Sequence, residues 1–213
     1  VSEKERIGRL HVITDVTVQS RFSHEELAEM ACAGGADVIQ LRDKHLGDSA
    51  FIAVARRVRE VCAHHGVTFI VNDRVEVARE VGADGVHLGR SDAAIGEARA
   101  ILGASTIIGA SAGSLADALR VDRAGADYMG FGHIFTATSK AKDTPPIGIE
   151  GLVDLCSHVT IPVIAIGGIT AENAREVMRA GAWGIAVIAA VCAADDPRAA
   201  TARLRNAVEQ SSR

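Results

Sequence analysis

Val67-Thr68-Phe69-Ile70-Val71-Asn72-Asp73 is an apolar, β-branched run that ends abruptly in a carboxamide and a carboxylate. Preceded by Gly66 and followed by polar residues, it has the form of a strand buried on both faces. Two further runs repeat the pattern: Asp37-Val38-Ile39-Gln40-Leu41, which leads into Arg42-Asp43-Lys44, and Gly85-Val86-His87-Leu88, which is followed shortly by Asp92. Between these runs, Ser49 to His65 and Arg74 to Val81 carry Val, Ala and Ile at helical spacing, with Arg and Glu on the other face. The order is strand, helix, strand, helix.

Outward from this centre the alternation extends to eight units. The remaining strand candidates are Leu10 to Thr14, Thr106 to Ala110, Tyr128 to Phe131, Pro162 to Ile166 and Gly184 to Ile188. Helices are expected to begin near Ser23, Ser49, Arg74, Asp92, Ser114, Ile149, Thr170 and Asp196. Ser23 with Glu26 has the form of a capping box, and Ser114 and Thr170 are suitable N-caps. Gly35-Ala36-Asp37, Gly82-Ala83-Asp84, Gly125-Ala126-Asp127 and Gly181-Ala182-Trp183 recur about once every two strand-helix units, each near an even-numbered strand. A glycine there suits the left-handed residue that ends a helix before a tight turn. The chain reads as one α/β domain over residues 1–213, a (β/α)8 TIM barrel.

Composition agrees: 213 residues, 48% hydrophobic and 23% charged, suffice for one substantial core. A net charge of −4 with 3% aromatic residues argues against a nucleic-acid surface. The apolar stretch from Gly184 to Ala194 is too short to span a bilayer, and Val1 to Gly8 is polar, so a cytoplasmic protein without a membrane partner is expected. Cys32, Cys62, Cys156 and Cys192 form no CxxC pair and read as small buried hydrophobes. The expected partner is a small molecule, and the sequence leaves room for a homo-oligomer.

In such a barrel the carboxyl ends of the strands converge on one mouth. Gln40, Arg42 and Lys44 belong there from the second strand, with Asn72 and Asp73 from the third, Asp92 from the fourth and Ser111 from the fifth. His133 to Lys140 follow the sixth, Gly167-Gly168 the seventh and Ala189-Ala190 the eighth. Asp73 and Asp92 are hard oxygen donors of the kind that hold Mg2+ beside substrate phosphates. Arg42 and Lys44, two apart on an extended segment, project to one side and suit a diphosphate, with Lys140 able to complete the clamp. Such a cluster assists a departing pyrophosphate electrostatically. Ile166-Gly167-Gly168-Ile169-Thr170 suggests a second phosphate site through backbone amides. Each feature has a plainer explanation: Asp73 and Asp92 would cap the third and fourth helices, Arg42 and Lys44 would pair with Asp43 and Asp48, and His87 would be a buried strand histidine.

Taken together, Gln40-Leu41-Arg42-Asp43-Lys44, Val71-Asn72-Asp73, Gly85-Val86-His87-Leu88-Gly89, Gly109-Ala110-Ser111-Ala112, Gly125-Ala126-Asp127-Tyr128 and Ile166-Gly167-Gly168-Ile169 resemble the thiamine-phosphate synthase family over nearly the whole chain. The resemblance implies an enzyme that joins a hydroxymethylpyrimidine diphosphate to a thiazole phosphate with Mg2+, releasing pyrophosphate by a dissociative route. It implies Asp73 and Asp92 as metal ligands. Arg42, Lys44, Asn72, Ser111 and Lys140 match pyrophosphate contacts, Gln40 a pyrimidine contact, and Gly168 the thiazole-phosphate site, with Ser139, Ile188 and Ala189 at the remaining substrate-contacting positions. The chain departs from the family pattern at Ala137 and Ser139 in the sixth loop, at Ala189 in place of a serine, and at Arg90 in place of a glutamine. Gly132-His133-Ile134-Phe135 also resembles the related thiazole tautomerases, where His133 would shuttle a proton. A third reading is a barrel that binds a thiamine-related ligand without turnover.

Overall fold

Alternation along each strand sorts the side chains into two cores, and that sorting places the candidate site. The computed structural model describes residues 6–136 and 145–210. Its strands are β1 (Leu10–Thr14), β2 (Val38–Leu41), β3 (Thr68–Asn72), β4 (Gly85–Leu88), β5 (Ile107–Ala112), β6 (Tyr128–Phe131), β7 (Val163–Ile166) and β8 (Gly184–Val187). All neighbours are parallel, and β8 pairs with β1 through Ile185 opposite Leu10 to close the barrel. Ile39, Leu41, Phe69, Val71, Val86, Leu88, Ile108, Met129 and Phe131 belong to the outer core shared with the helices. Ile13, Val38, Ile70, Ile107, Tyr128, Ile164 and Ala186 fill the barrel itself. By the two-residue period, Gln40, Asn72, His87 and Ser111 share the inward face near the strand ends.

The helices are α1 (His24–Ala33), α2 (Asp48–His65), α3 (Val75–Val81), α4 (Ile95–Leu102), α5 (Leu115–Arg123), α6 (Gly148–His158), α7 (Ala174–Arg179), a short α8 (Ala189–Cys192) and α9 (Pro197–Glu209). The capping box at Ser23 and Glu26 forms as expected, and Ser114 and Asp196 cap α5 and α9. Two expected starts shift. Thr170 does not cap α7: its amide donates to Asn173 Oδ1 and the helix begins at Ala174. Asp92 does not open α4, which begins at Ile95, because the carboxylate turns back to accept the Gly89 amide at 2.6 Å. Cys32, Cys62 and Cys192 are buried and Cys156 is partly so, in keeping with their reading as apolar filler.

The Gly-Ala-Asp repeat has two functions. Gly35, Gly82, Gly125 and Gly181 all have positive φ, as a left-handed helix exit requires. The aspartate that follows then hooks the preceding strand: Asp37 accepts from Leu10 N, Asp84 from Phe69 N and Asp127 from Ile108 N, at 2.9, 2.8 and 2.6 Å. Each hook satisfies an amide at a strand start and helps fix register at the closed end of the barrel. None of the described helices is long and apolar enough to cross a membrane.

Candidate active site

The mouth at the strand carboxyl ends is a cleft of about 850 Å³, and it collects residues from all eight strands or the loops that follow them. Gln40, Arg42, Lys44, Asn72, Ser111 and Ile188 all line it, as the sequence led us to expect. At its centre Asn72 Nδ2 donates to Gln40 Oε1 at 2.9 Å. Turned over, the Asn72 amide would instead donate to both Asp73 oxygens at 3.0 and 2.9 Å, with Gln40 turning in step. Only the turned orientation ties the floor of the cleft to its carboxylate rim, since in the other the Asn72 carbonyl oxygen faces the Asp73 carboxylate with no proton between them.

Asp73 has φ of 67°, the only non-glycine residue among those described in the left-handed region. Aspartate tolerates that conformation better than most side chains, and a strained backbone concentrates at working sites. The conformation is held by Asp73 N donating to His87 O at 2.8 Å and Arg74 N to Asn72 O at 2.9 Å. Arg74 is the N-cap of α3 and Ala94 that of α4, so neither Asp73 nor Asp92 is spent on capping a helix. A Cβ built on Gly89 would lie 2.7 Å from Asp92 Oδ2 and 3.8 Å from Asp73 Oδ1, which shows that both carboxylates converge on one point. Burial and the neighbouring Asp92 push the Asp73 carboxyl above its ordinary range, against the pull of Lys44. Burial acts on Asp92 too, but its hydrogen bonds with Asp73 and the Gly89 amide hold it below the usual value. The pair therefore favours one shared proton or one shared cation. Neither carboxylate lines the cleft directly; both sit at its edge against Gly89, which does, and two such oxygen donors fit a hard divalent ion that keeps sites for substrate oxygens.

Arg42 and Lys44 do not take the acidic partners, Asp43 and Asp48, that the plainer reading gave them. Arg42 pairs with the buried Asp15, whose other contacts are Thr17 N and Oγ1 at 2.9 and 2.5 Å. Lys44 pairs with Asp73 across the cleft rim. Asp48 is taken by Arg74 instead. Asp43 turns inward to His24 Nε2 at 3.2 Å, and His24 Nδ1 lies 2.8 Å from Thr14 Oγ1. Against its burial, the amides of His45 and Leu46 and the His24 ring hold Asp43 below the carboxylate norm. This buried link fixes the loop that carries both cations. Sequence reading missed Asp15 and His24; the signal for Asp15 was its position directly after β1, the same position that marked the other rim residues.

His87 is buried as expected, and it also links the barrel interior to the mouth. Its Nε2 lies 2.9 Å from Ser111 Oγ and its Nδ1 3.0 Å from Tyr128 Oη. Gly109 has no side chain because the Tyr128 ring occupies the place of its Cβ. Burial, with His11 adding to it and Asp92 opposing, lowers the His87 pKa to about 4. Burial lowers His11 likewise to about 4, against its bond to Ile7 O. Both rings are neutral when folded, so each contributes stability above the unfolded value near 6.5 that is lost as pH falls through about 4. That contribution is on the order of 3 kcal/mol per ring. The melting temperature is expected to fall steadily from pH 6.5 to pH 4.5; a flat profile over that interval would contradict the burial of these two rings.

The residues expected to offer a second anion site share one hollow. Gly167, Gly168, Thr170, Ile188, Ala189 and Ala190 line a neighbouring hollow of about 260 Å³ between the ends of β7 and β8. Gly167 and Gly168 have φ of 101° and 67°, and Asn173 Nδ2 donates to Gly168 O at 3.0 Å to hold the turn. His133 is not brought into the mouth: it is buried at 7% exposure and lines neither hollow. Ser139 and Lys140 lie outside the described residues.

Comparison with known proteins agrees with the motifs. The family profile described as thiamine monophosphate synthase matches residues 10–191. A thiamine-phosphate synthase of Salinibacter ruber is 47% identical over 206 residues, 97% of this chain and 91% of that protein. One from Chloroflexus aurantiacus is 48% identical over 197 residues, 92% of this chain and 91% of that protein. Among solved structures, a thiamine phosphate pyrophosphorylase from Pyrococcus furiosus superposes with a TM-score of 0.89 at 41% identity, covering 99% of each chain.

Proposed function

The chain belongs to the thiamine monophosphate synthase family, and from that premise we propose how its mouth carries out the reaction. A hydroxymethylpyrimidine diphosphate is coupled to a thiazole phosphate, giving thiamine monophosphate and pyrophosphate. The observation that carries the reading is the convergence of Asp73 and Asp92 beside Lys44, with neither aspartate occupied as a helix cap. Asp73 and Asp92 would hold Mg2+, which when bound neutralises charge on the departing diphosphate.

The protein's own groups perform the rest. Arg42 and Lys44 stabilise the leaving diphosphate as the substrate C–O bond breaks and its electron pair stays on the phosphate oxygen. Ser111, oriented by the neutral His87, donates to that same group. Gln40 and Asn72 orient the pyrimidine while its methylene carbon becomes cationic, and the thiazole nitrogen then captures that carbon. The Gly167-Gly168 turn and the start of α8 offer backbone amides to the thiazole phosphate. The family resemblance adds Lys140 to the diphosphate contacts and Ser139 to the substrate contacts. Such charged precursors do not cross membranes unaided, which is consistent with a cytoplasmic setting.

The tautomerase reading loses its main support, because His133 does not line the cleft. Incubation of the purified protein with both phosphorylated precursors and Mg2+ is expected to yield thiamine phosphate and pyrophosphate. An isomerised thiazole carboxylate would establish the tautomerase instead, and binding without turnover the ligand-sensing barrel.

A further inference from the structure

We propose that Arg90 is an additional contact for the departing diphosphate on the β4 side of the mouth; this rests on the synthase reading above. Arg90 sits between Gly89 and Asp92, in the loop that forms the carboxylate corner. It lines the same cleft as Ser111, Gly113 and Arg120. A Cβ on Gly113 would lie 3.2 Å from Arg90 Nη1, so the guanidinium reaches across to the loop after β5, two residues beyond Ser111. That bridges the two loops between which a diphosphate held by Asp92 and Ser111 would lie.

The charge balance at this corner differs from that at β2. Arg42 and Lys44 each have a carboxylate of their own. Asp117, by contrast, faces two guanidiniums: it accepts a hydrogen bond from Arg120 and another from Gly113 N at 3.3 Å. Arg90 stands 3.8 Å from Asp117, beyond hydrogen-bond length, and among the described residues its donors have no other acceptor. Around Asp117 itself two cations share one carboxylate, and Asp117 holds the Arg90 guanidinium at ion-pair distance without taking a hydrogen bond from its donors. A planar fork of N–H groups held in this way matches the oxygens of a terminal phosphate. The thiazole phosphate is the less suitable partner, since its cradle lies across the barrel at β7 and β8.

The test uses the full chain and Arg90→Gln, which keeps length and polarity but removes charge. With Mg2+ present, the KM for the pyrimidine diphosphate and the Ki for inorganic pyrophosphate are expected to rise about tenfold, as loss of one charge-assisted contact implies. The KM for the thiazole phosphate should stay within twofold. Calorimetric titration with magnesium pyrophosphate supplies a readout independent of turnover, with the same loss of about tenfold expected. Unchanged pyrophosphate affinity, or equal increases in both KM values, would overturn the assignment of Arg90. If the wild-type chain makes no thiamine phosphate, the synthase reading fails separately, and the titration still decides whether Arg90 holds pyrophosphate.

Discussion

Asp92→Ala is expected to lower kcat by on the order of a thousandfold while the barrel stays folded, because on the proposed mechanism the aspartate holds the metal and it makes no scaffold bond beyond its own loop. Its carboxylate accepts from the Gly89 amide and hydrogen-bonds Asp73. It caps no helix, and α4 begins three residues later. Loss of the side chain also removes one of the influences that raise the Asp73 carboxyl. A carboxyl whose folded pKa is raised contributes stability below its unfolded value and loses it as pH rises through the folded one. Removing Asp92 therefore relieves Asp73 at neutral pH, and the melting temperature at pH 7 should hold within a few degrees. The same sign governs the metal. As pH rises through the elevated Asp73 value the pair becomes doubly ionised, so the Mg2+ concentration needed for half-maximal rate should fall. Steady-state rates over a Mg2+ series, with melting curves on the same samples, give both readings. Wild-type turnover in the variant would remove Asp92 as a ligand. If alanine unfolds the chain, Asp92→Asn, which keeps an acceptor for the Gly89 amide, carries the same expectation.

The barrel was legible because its signals are local. β1, β4 and β6 occupy the ranges read from their apolar runs, and the recurring glycines adopt the left-handed conformation that their places before the even strands implied. The mouth residues were legible because strand polarity alone sends whatever follows each run to one rim. Pairings that depend on three dimensions were not legible. Arg42 meets Asp15 and Lys44 meets Asp73 because β1 and β3 flank β2, a neighbourhood set by barrel closure and not by spacing along the chain. His24 reaches Asp43 from the start of α1, again across the packed layer. The late starts of α4 and α7 have a shared cause: Asp92 and Asn173 spend their side chains on loop amides upstream, and that extends the loops. His87 was read as a buried strand histidine, which it is, but its bonds to Ser111 and Tyr128 follow from the register of β4, β5 and β6.

The other large effect is expected at Arg42, where stability and turnover should separate. Arg42→Ala removes a cation from the diphosphate side of the cleft and also strips the partner from Asp15, a carboxylate only 4% exposed. Breaking a buried pair by deleting one member costs about 3–5 kcal/mol when the survivor is left bare. Thr17 continues to donate to Asp15 through its amide and hydroxyl, and the Arg42 side chain keeps 22% exposure, so the cost should be nearer 2 kcal/mol. For a chain of this size that lowers the melting temperature by roughly 4–8 °C. kcat should fall by about a hundredfold or more, since the lost charge faces the leaving group. The double variant Asp15→Asn with Arg42→Ala tells the two losses apart. Neutralising Asp15 removes the stranded charge while its amide oxygen still accepts from Thr17, so most of the melting temperature should return. Turnover should not, because no cation has been restored to the cleft. Recovery of activity along with stability would mean that Arg42 acts only by holding Asp15. An unchanged melting temperature in Arg42→Ala would mean that the pair contributes nothing to the fold. The expected split places Arg42 in both roles at once: the carboxylate that anchors it from β1 keeps a partly exposed guanidinium in position before substrate arrives, and that preorganisation makes it effective against the charge that develops when the diphosphate leaves.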